Sequence, residues 1–204
     1  MNHPNIVKVR GYTPKPIPIK QSTGTVEALV LGLEYAPSGD LFKFIKNSPF
    51  QGRVARYYFR QLIQAVEFMH DSAIAHRDIK LENLLLDADF NLKIADFGYS
   101  TINLGFSVDP LGTPIYQAPE TRPDLESDGL AALPYESKKV DVFNCGAVLF
   151  MLITGKSPLI DTYGFDTSRF LWSRGTSDAY WENYPRTTAA TRNCRNLIEW
   201  MMRE

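Results

Sequence analysis

The sequence is poor in cysteine and has no long apolar run. Its 204 residues include two cysteines, Cys145 and Cys194, which provide no disulfide framework and lack the paired spacing of a zinc site. The most apolar stretch, from Cys145 to Ile153, is well short of the ~20 residues that a membrane-spanning helix needs. The first residues have neither the basic nor the apolar region of a secretory signal. We therefore expect an intracellular, cytoplasmic chain with no membrane span.

Neither sign of charge is in excess. Lysine and arginine total 22, aspartate and glutamate total 23, and the formal net charge is −1. This balance argues against general binding to nucleic acid, which needs a strongly basic surface. Hydrophobic residues make up 44% and charged residues 22%, as in ordinary globular proteins, and the length suits one folding unit. We expect a single globular domain with no nucleic-acid partner.

Three segments have the pattern of helices. Apolar residues recur at helical spacing from Val54 to His70, which predicts an amphipathic helix. The stretch from Val140 to Thr154 is apolar on almost every side, which predicts a helix buried in the core and ended by Gly155. A last helix is predicted from Thr191 to Met202. Three tryptophans are expected to anchor this helical core: Trp172, Trp181 and Trp200.

The strand signals are shorter. Residues 6–9 and 28–33 are predicted strands, and the second is apolar enough to be buried on both faces. The proline-rich segment from Tyr12 to Gly24 is predicted to be an irregular surface connection. Two apolar runs, 84–86 and 92–95, flank a polar turn and predict a β-hairpin.

Polar residues with complementary chemistry surround this hairpin. The block His76-Arg77-Asp78-Ile79-Lys80-Leu81-Glu82-Asn83 precedes it, and Asp96-Phe97-Gly98 follows it. Phosphoryl transfer needs a carboxylate to orient a hydroxyl and accept its proton, a lysine to offset phosphate charge, and oxygen ligands for Mg²⁺. The two segments contain all of these groups.

These motifs resemble those of the eukaryotic protein kinases. Further matches follow in the family's order: Gly112-Thr113-Pro114, then Ala118-Pro119-Glu120, then Asp141-Val142-Phe143 with Gly146. Glu34-Tyr35-Ala36, after an apolar run, resembles the hinge that binds adenine. The sequence is most similar to the calcium/calmodulin-dependent kinases and their relatives. The resemblance implies an α+β, protein-kinase-like fold: a mostly helical large lobe at 36–204 and an incomplete, β-rich small lobe at 1–35.

The resemblance also implies ATP and Mg²⁺ as cofactors and proteins bearing Ser or Thr as substrates. Asp78 would be the catalytic acid/base, Lys80 would contact phosphate, and Asn83 and Asp96 would hold Mg²⁺. Lys80 together with Thr113 matches the serine/threonine-specific pattern. The residues expected around the nucleotide are Leu33 as gatekeeper, Glu34 and Ala36 at the adenine edge, Leu85 beneath the ring, and Asp40 at the ribose. For Asp40, capping of the following helix is an equally good interpretation.

Other positions receive structural or regulatory roles from the same resemblance. Asp141 would hold the backbone of His76 and Arg77, and Gly98 completes the Asp-Phe-Gly motif. His76 would pack under Phe97, and Glu120 would pair with a buried cation, Arg195. His3 and His70 are expected to be structural or surface residues. Glu82 and Asp40 would favour substrates with arginine upstream of the acceptor hydroxyl.

Asp109 occupies the place where many relatives carry a phosphorylated threonine. We hypothesise that its carboxylate partly replaces that phosphate by pairing with Arg77; the alternative is a solvated turn at Asp109-Pro110.

The main departure is that the sequence contains no glycine-rich loop, strand lysine or partner glutamate, and it ends before the family's final helices. We expect a fragment of a working kinase that is poorly active alone. The alternative is a catalytically weak or inactive pseudokinase-like interaction module.

Overall fold

Four short strands precede the first helix in the computed structural model of the chain, which describes residues 1–46, 48–102, 105–109, 111–121, 134–158, 181 and 190–203. Strand β1 (Val9–Tyr12) pairs antiparallel with β4 (Leu31–Leu33). Strands β2 (Ile17–Gln21) and β3 (Gly24–Ala28) form a separate antiparallel hairpin between them.

Three predictions for this part of the chain differ from the structure. The segment from Tyr12 to Gly24 is not irregular, because most of it enters the β2–β3 hairpin with Pro18 opposite Glu27. Both strands of a two-stranded sheet are edges, and an edge strand accepts proline where the nitrogen faces away from the partner strand. The apolar run at 28–33 is not buried either: Leu29 is 66% and Leu31 57% exposed. The strand predicted at 6–9 is represented by a single bridge from Ile6 to Ile94, and β1 begins only at Val9.

The three predicted helices are present as α2 (Gly52–Asp71), α3 (Ser137–Thr154) and α4 (Arg192–Met201). The short helix that follows Asp40 is α1 (Leu41–Ile45). Gly155 ends α3 in the left-handed conformation (φ 71°), and the Thr191 side chain caps α4 by accepting the Cys194 N–H. Trp181 is buried as expected, whereas Trp200 is exposed and Trp172 lies outside the described residues.

The predicted hairpin lies against the helical core. Strand β6 (Leu84–Leu86) pairs with β7 (Leu92–Ile94), and a short strand β5 (Gly39–Asp40) extends the sheet on the other edge of β6. Leu84 and Leu86 point into the core, while Leu85 faces the opposite side and is half-buried, as strand alternation requires. The first residues dock onto β7 through backbone bonds between Val7 and Ile94 and between Ile94 and Asn5. Antiparallel pairing beside separate helices agrees with the expected α+β class. No described helix is both long and apolar enough to cross a membrane.

Helices α3 and α4 meet at Gly146, which allows a close approach. A Cβ atom added there would lie 2.7 Å from Met202 Cγ and 3.1 Å from Met201 Cβ. We expect Gly146→Ala to lower the free energy of unfolding by about 1–3 kcal/mol through overpacking. Urea denaturation of the full-length protein measures it. Gly11→Ala is the matched control, since nothing lies within 4 Å of a Cβ at that position. Equal losses in the two variants would contradict a packing role for Gly146.

Candidate active site

The segment between α2 and β6 holds the predicted catalytic residues. Asp78 is buried, and its Oδ2 lies 2.6 Å from Lys80 Nζ. Thr113, which is distant in sequence, donates from Oγ1 to Asp78 Oδ1 over 3.0 Å and accepts from Lys80 Nζ over 2.9 Å. The structure therefore brings together the three residues that the sequence pattern assigned to catalysis and substrate type.

Asn83 and Asp96 lie at the two open ends of the β6–β7 hairpin. The Ala95 N–H bonds the Asn83 carbonyl at 2.9 Å, which places Asp96 beside Asn83. Asn83 donates from Nδ2 to the Asp78 carbonyl (3.0 Å) and to Asp78 Oδ2 (3.2 Å), so its Oδ1 is the amide atom left for a ligand. Asp96 is exposed with φ 60°, and its Oδ1 accepts the Gly98 N–H. One amide and one carboxylate oxygen fit Mg²⁺, which takes few protein ligands and completes its shell with phosphate and water.

Asp141 in α3 joins the core to the catalytic loop. Its side chain is fully buried; Oδ1 accepts the Arg77 N–H at 2.7 Å, and Oδ2 accepts the His76 N–H at 2.9 Å. The predicted anchoring of this backbone is therefore present. His70 Nε2 also lies 2.8 Å from Oδ2, a contact that the sequence analysis missed because 71 positions separate the two residues.

His76 packs against Phe97, as predicted, with 4.9 Å between ring centroids. Its Nε2 bonds the Ala95 carbonyl, and its Nδ1 accepts the Asp78 N–H. This pattern fits a neutral ring protonated on Nε2. Burial lowers the pKa of His76 below its usual 6.5, although the charge of Asp141 opposes the shift.

The lowered pKa of His76 predicts acid sensitivity. Below about pH 6.5 the unfolded chain binds a proton at this ring that the folded chain does not. The free energy of unfolding therefore decreases as the pH is lowered. The loss is at most ~1.4 kcal/mol per pH unit and ends once the folded pKa is passed. Denaturation between pH 7.5 and 5.5, compared with His76→Gln, isolates the effect from other groups. Equal pH slopes in both proteins would contradict it.

Arg77 connects the catalytic loop to the segment that follows Gly98. Its Nε donates to the Tyr99 carbonyl (2.7 Å), and its Nη1 donates to Ser107 Oγ (3.0 Å) and lies 3.6 Å from Asp109 Oδ2. Strand β8 (Phe106–Ser107) pairs with β9 (Tyr135–Glu136), and the Tyr135 hydroxyl donates to the Asp109 carbonyl. The geometry required by the Asp109–Arg77 hypothesis is therefore present.

Glu82 is held by a tyrosine that the sequence analysis did not select. The Tyr116 hydroxyl donates to Glu82 Oε2 over 3.0 Å and accepts the Leu81 N–H over 3.3 Å. The Tyr116 ring is buried, which raises the pKa of its hydroxyl well above the usual range. The sequence signal that could have selected Tyr116 is its position between two motifs, Gly112-Thr113-Pro114 and Ala118-Pro119-Glu120.

Three of the residues expected to contact nucleotide, Glu34, Asp40 and Leu85, lie on or beside the sheet of β5, β6 and β7. Leu85 lies opposite Asp40 in β5 and opposite Lys93 in β7. Lys93 Nζ lies 2.8 Å from Glu34 Oε1, and this hydrogen bond lowers the pKa of the Glu34 carboxyl. Leu33, the residue expected as gatekeeper, is 48% exposed, and Ala36 is half-buried.

Asp40 has the geometry of a helix cap. Its Oδ1 accepts the Lys43 N–H at the start of α1, and its Oδ2 pairs with Lys43 Nζ at 3.1 Å. Capping is thus present, and a ribose contact by the same side chain stays a prediction.

Arg195 lies in α4, and Glu120 lies in the short 3₁₀ turn Pro119–Thr121. Arg195 donates from Nε to the Ala190 carbonyl and stacks over the Trp181 ring at 5.0 Å. The pairing of Glu120 with Arg195 stays a prediction.

Comparison with known proteins agrees with this geometry. The family described as "Protein kinase domain" matches residues 1–204. CBL-interacting protein kinase 31 of Oryza sativa subsp. japonica is 38% identical over 167 residues, covering 79% of this chain and 33% of the relative. CBL-interacting protein kinase 30 of the same organism is 45% identical over 136 residues, covering 64% and 27%. CBL-interacting serine/threonine-protein kinase 12 of Arabidopsis thaliana is 38% identical over 166 residues, covering 79% and 30%. The chain spans about a third of the length of these relatives.

Proposed function

Because this chain belongs to the protein kinase family, we propose that it transfers the γ-phosphoryl group of MgATP to serine or threonine hydroxyls of proteins. The observation that carries the proposal is the contact of Asp78 with Lys80, Thr113 and Asn83 around one buried carboxylate. A soluble domain gains little from burying a carboxylate with so many polar partners unless they serve a ligand. Residues 1–35 would belong to the small lobe and 36–204 to the large lobe.

The proposed roles follow from the positions of the atoms. Asp78 would orient the substrate hydroxyl and accept its proton, and Lys80 would offset the negative charge of the transferred group. Thr113 would keep both side chains in place through its single hydroxyl. Asn83 Oδ1 and the Asp96 carboxylate would hold Mg²⁺, which when bound neutralises phosphate charge. Leu33, Glu34, Ala36 and Leu85 would contact adenine, with Asp40 at the ribose.

Phosphoryl transfer and nucleotide binding test the proposal separately. The full-length protein is incubated with MgATP and a mixture of Ser/Thr peptides, and incorporated phosphate is counted. Its unfolding temperature is also measured with and without millimolar MgATP, because a ligand of the folded state raises it. Phosphate transfer together with a higher unfolding temperature in MgATP supports the proposed kinase function. The absence of both phosphate transfer and a thermal shift would favour the alternative, an inactive interaction module.

A peptide library varied upstream of the acceptor hydroxyl tests the preference for basic residues that is proposed for Glu82 and Asp40.

We also propose that Asp109 stabilises the ordered segment by pairing with Arg77. The Asp109 side chain is 64% exposed, so such a pair is worth only ~0–1 kcal/mol. We expect Asp109→Ala to lower activity by up to about fivefold, with a smaller effect at high salt because of screening. Asp109→Asn, which keeps the size and removes the charge, should resemble Asp109→Ala. Unchanged activity while Ser107 and Thr101 are unphosphorylated would support the solvated-turn alternative.

A further inference from the structure

Exposed apolar side chains meet where α1, α2 and the turn of the β6–β7 hairpin come together. Phe44 in α1 and Phe90 in the turn are in edge-to-face contact, with 6.4 Å between their ring centroids. Tyr57 in α2 donates from its hydroxyl to Asn91 Oδ1 in the same turn, and Val54 lies one helical turn before Tyr57. We define the apolar patch as these four side chains, which are between 38% and 50% exposed: Phe44, Val54, Tyr57 and Phe90.

The turn holds a phenylalanine in a backbone conformation that bulky residues avoid. Phe90 has φ 60°, in the left-handed region that glycine and asparagine adopt most readily. Either of those residues would relieve the strain at this position but would remove the ring that contacts Phe44. Strained conformations are concentrated at binding and switch sites, where they are part of the function. The strain at Phe90 therefore indicates a use for an exposed aromatic ring.

The chain around the apolar patch is strongly basic. Residues 41–66 include five lysines and arginines and no aspartate or glutamate, although the whole chain has a net charge of −1. Arg53 and Arg60 lie four residues before and three residues after Tyr57, so they border it on the same face of α2. Among the described residues, neither arginine takes part in an ion pair. The turn contributes an exposed acid, Asp89, which offsets only part of this positive charge.

We propose that this surface is a docking site for an acidic, apolar segment of protein substrates. The inference rests on the proposed kinase function, which supplies the need for a protein substrate. Aromatic residues and arginine are enriched at protein interfaces, and tyrosine and arginine are frequent among the residues that dominate binding energy. Leucine or phenylalanine side chains of the substrate would cover the apolar patch, and neighbouring glutamates or aspartates would pair with Arg53 and Arg60. Apolar burial supplies affinity, and the complementary charge selects acidic segments.

A lipid surface would fit the charge of this region but not the exposure of its rings. Helices that hold a protein on a membrane bury their apolar face about 5–10 Å into it. In the apolar patch, about half of each side chain is covered by its neighbours, and the Tyr57 hydroxyl is bonded to Asn91. The rings therefore offer a contact face for another protein and do not protrude as anchors.

The β6–β7 hairpin connects the docking surface to the candidate active site. Its turn carries Phe90, and its open ends carry Asn83 and Asp96, the proposed magnesium ligands. The four residues from Asn83 to Asp87 span about 13 Å at ~3.3 Å per residue. A segment docked on the apolar patch would keep the acceptor hydroxyl of the same substrate close to the site and raise its effective concentration. Docking is therefore expected to lower KM for the substrate and to leave kcat unchanged.

Fluorescence anisotropy tests docking without catalysis. The probe is a fluorescein-labelled peptide of about 12 residues, composed of leucine, phenylalanine and glutamate, into which the full-length protein is titrated. We expect saturable binding that weakens about tenfold in Phe90→Asn and in a double variant, Arg53→Gln with Arg60→Gln. Binding should also weaken with added salt, because the charges are exposed. Phe90→Asn should not lower the unfolding temperature, since asparagine tolerates the left-handed conformation.

Two matched controls remove the same kinds of group elsewhere. Trp200→Gln removes an exposed aromatic ring from α4, and Lys15→Gln with Lys20→Gln removes two exposed charges in or beside β2. Both should bind the acidic peptide like the native protein, and a peptide with lysine in place of glutamate should not bind. Equal affinity of the native protein and Phe90→Asn would overturn the inference. Binding to phosphatidylserine vesicles without binding to the peptide, or a native dimer that Phe90→Asn dissociates, would also overturn it.

Kinetics test the link between docking and phosphoryl transfer. The acidic peptide is joined to a phosphorylatable peptide through a glycine/serine linker of about 12 residues, which averages about 20 Å in length. We expect this fusion to have a KM about tenfold lower than the phosphorylatable peptide alone, with kcat within twofold. In Phe90→Asn the two KM values should lie within threefold of each other. Equal KM values in the native protein would overturn a role in substrate docking. If no peptide accepts phosphate, the proposed kinase function fails, while the anisotropy titration still decides whether the surface binds acidic segments.

Discussion

Asp78→Asn is expected to lower kcat for phosphoryl transfer by about 10²–10⁴-fold, the range typical of a lost general base. Asparagine has nearly the same shape and still accepts a hydrogen bond from Thr113, so the fold should be retained. It cannot accept the substrate proton, and it loses the charge that faces Lys80 Nζ at 2.6 Å. Steady-state kinetics with the full-length protein and a phosphorylatable peptide measure the loss.

The control for Asp78→Asn is Asp89→Asn, the same chemical change at an exposed residue of the β6–β7 turn. Asp89→Asn should leave kcat within twofold of native, and both variants should unfold at similar temperatures. A loss of less than tenfold in Asp78→Asn would show that Asp78 is not the catalytic base.

Asp141→Ala should have the largest effect on stability. Removing a fully buried carboxylate leaves the N–H groups of His76 and Arg77 and the His70 ring without their acceptor. Each buried unsatisfied donor costs about 1–3 kcal/mol, so the loss of the acceptor for three donors should lower the free energy of unfolding by about 3 kcal/mol or more. Urea denaturation measures it as a lower midpoint with an unchanged slope.

Asp141→Asn is the matched variant, because it keeps the side-chain shape and one acceptor oxygen. It should lose clearly less stability than Asp141→Ala. If Asp141→Ala unfolds within 0.5 kcal/mol of the native protein, the range of an ordinary surface substitution, the hydrogen bonds of Asp141 do not support the fold.

The elements with a strong hydrophobic pattern were predictable from the sequence. Helix α2 was expected at 54–70 and occupies Gly52–Asp71; α3 was expected from Val140 and begins one turn earlier, at Ser137. These helices bury one face or all faces in a single core, so their hydrophobic pattern reports their environment. The β6–β7 hairpin was equally clear, because apolar runs flank a polar turn.

The first 35 residues were harder to predict for a physical reason. An apolar run such as 28–33 indicates burial only if other elements cover it, and here Leu31 and Leu33 belong to a two-stranded sheet that leaves them exposed. The prediction that Trp200 anchors the core is wrong for the same reason, because among the described residues it lies on the exposed side of α4. A sequence records which residues are apolar and not which partners reach them.

In the candidate site, too, some features were predictable from the sequence and others were not. Asp78, Lys80, Asn83 and Asp96 were found through local motifs. Contacts that join distant segments, such as His70 with Asp141 or Tyr116 with Glu82, carried no pattern in the sequence. Single polar residues on a helix are common, and only the packing of α2 against α3 and of the loop against Tyr116 selects the pairs that meet.

The β6–β7 hairpin also has a consequence for the order in which this site forms during folding. Asn83 and Asp96 are joined by local strand pairing, and hairpins form in ~1–10 μs. The hydrogen bonds from His76 and Arg77 need Asp141, which lies 65 and 64 positions further along the chain. Their loop-closure cost is therefore higher and their formation slower. We expect a refolding chain to bring Asn83 and Asp96, the two proposed magnesium ligands, together before Asp78 reaches its final orientation.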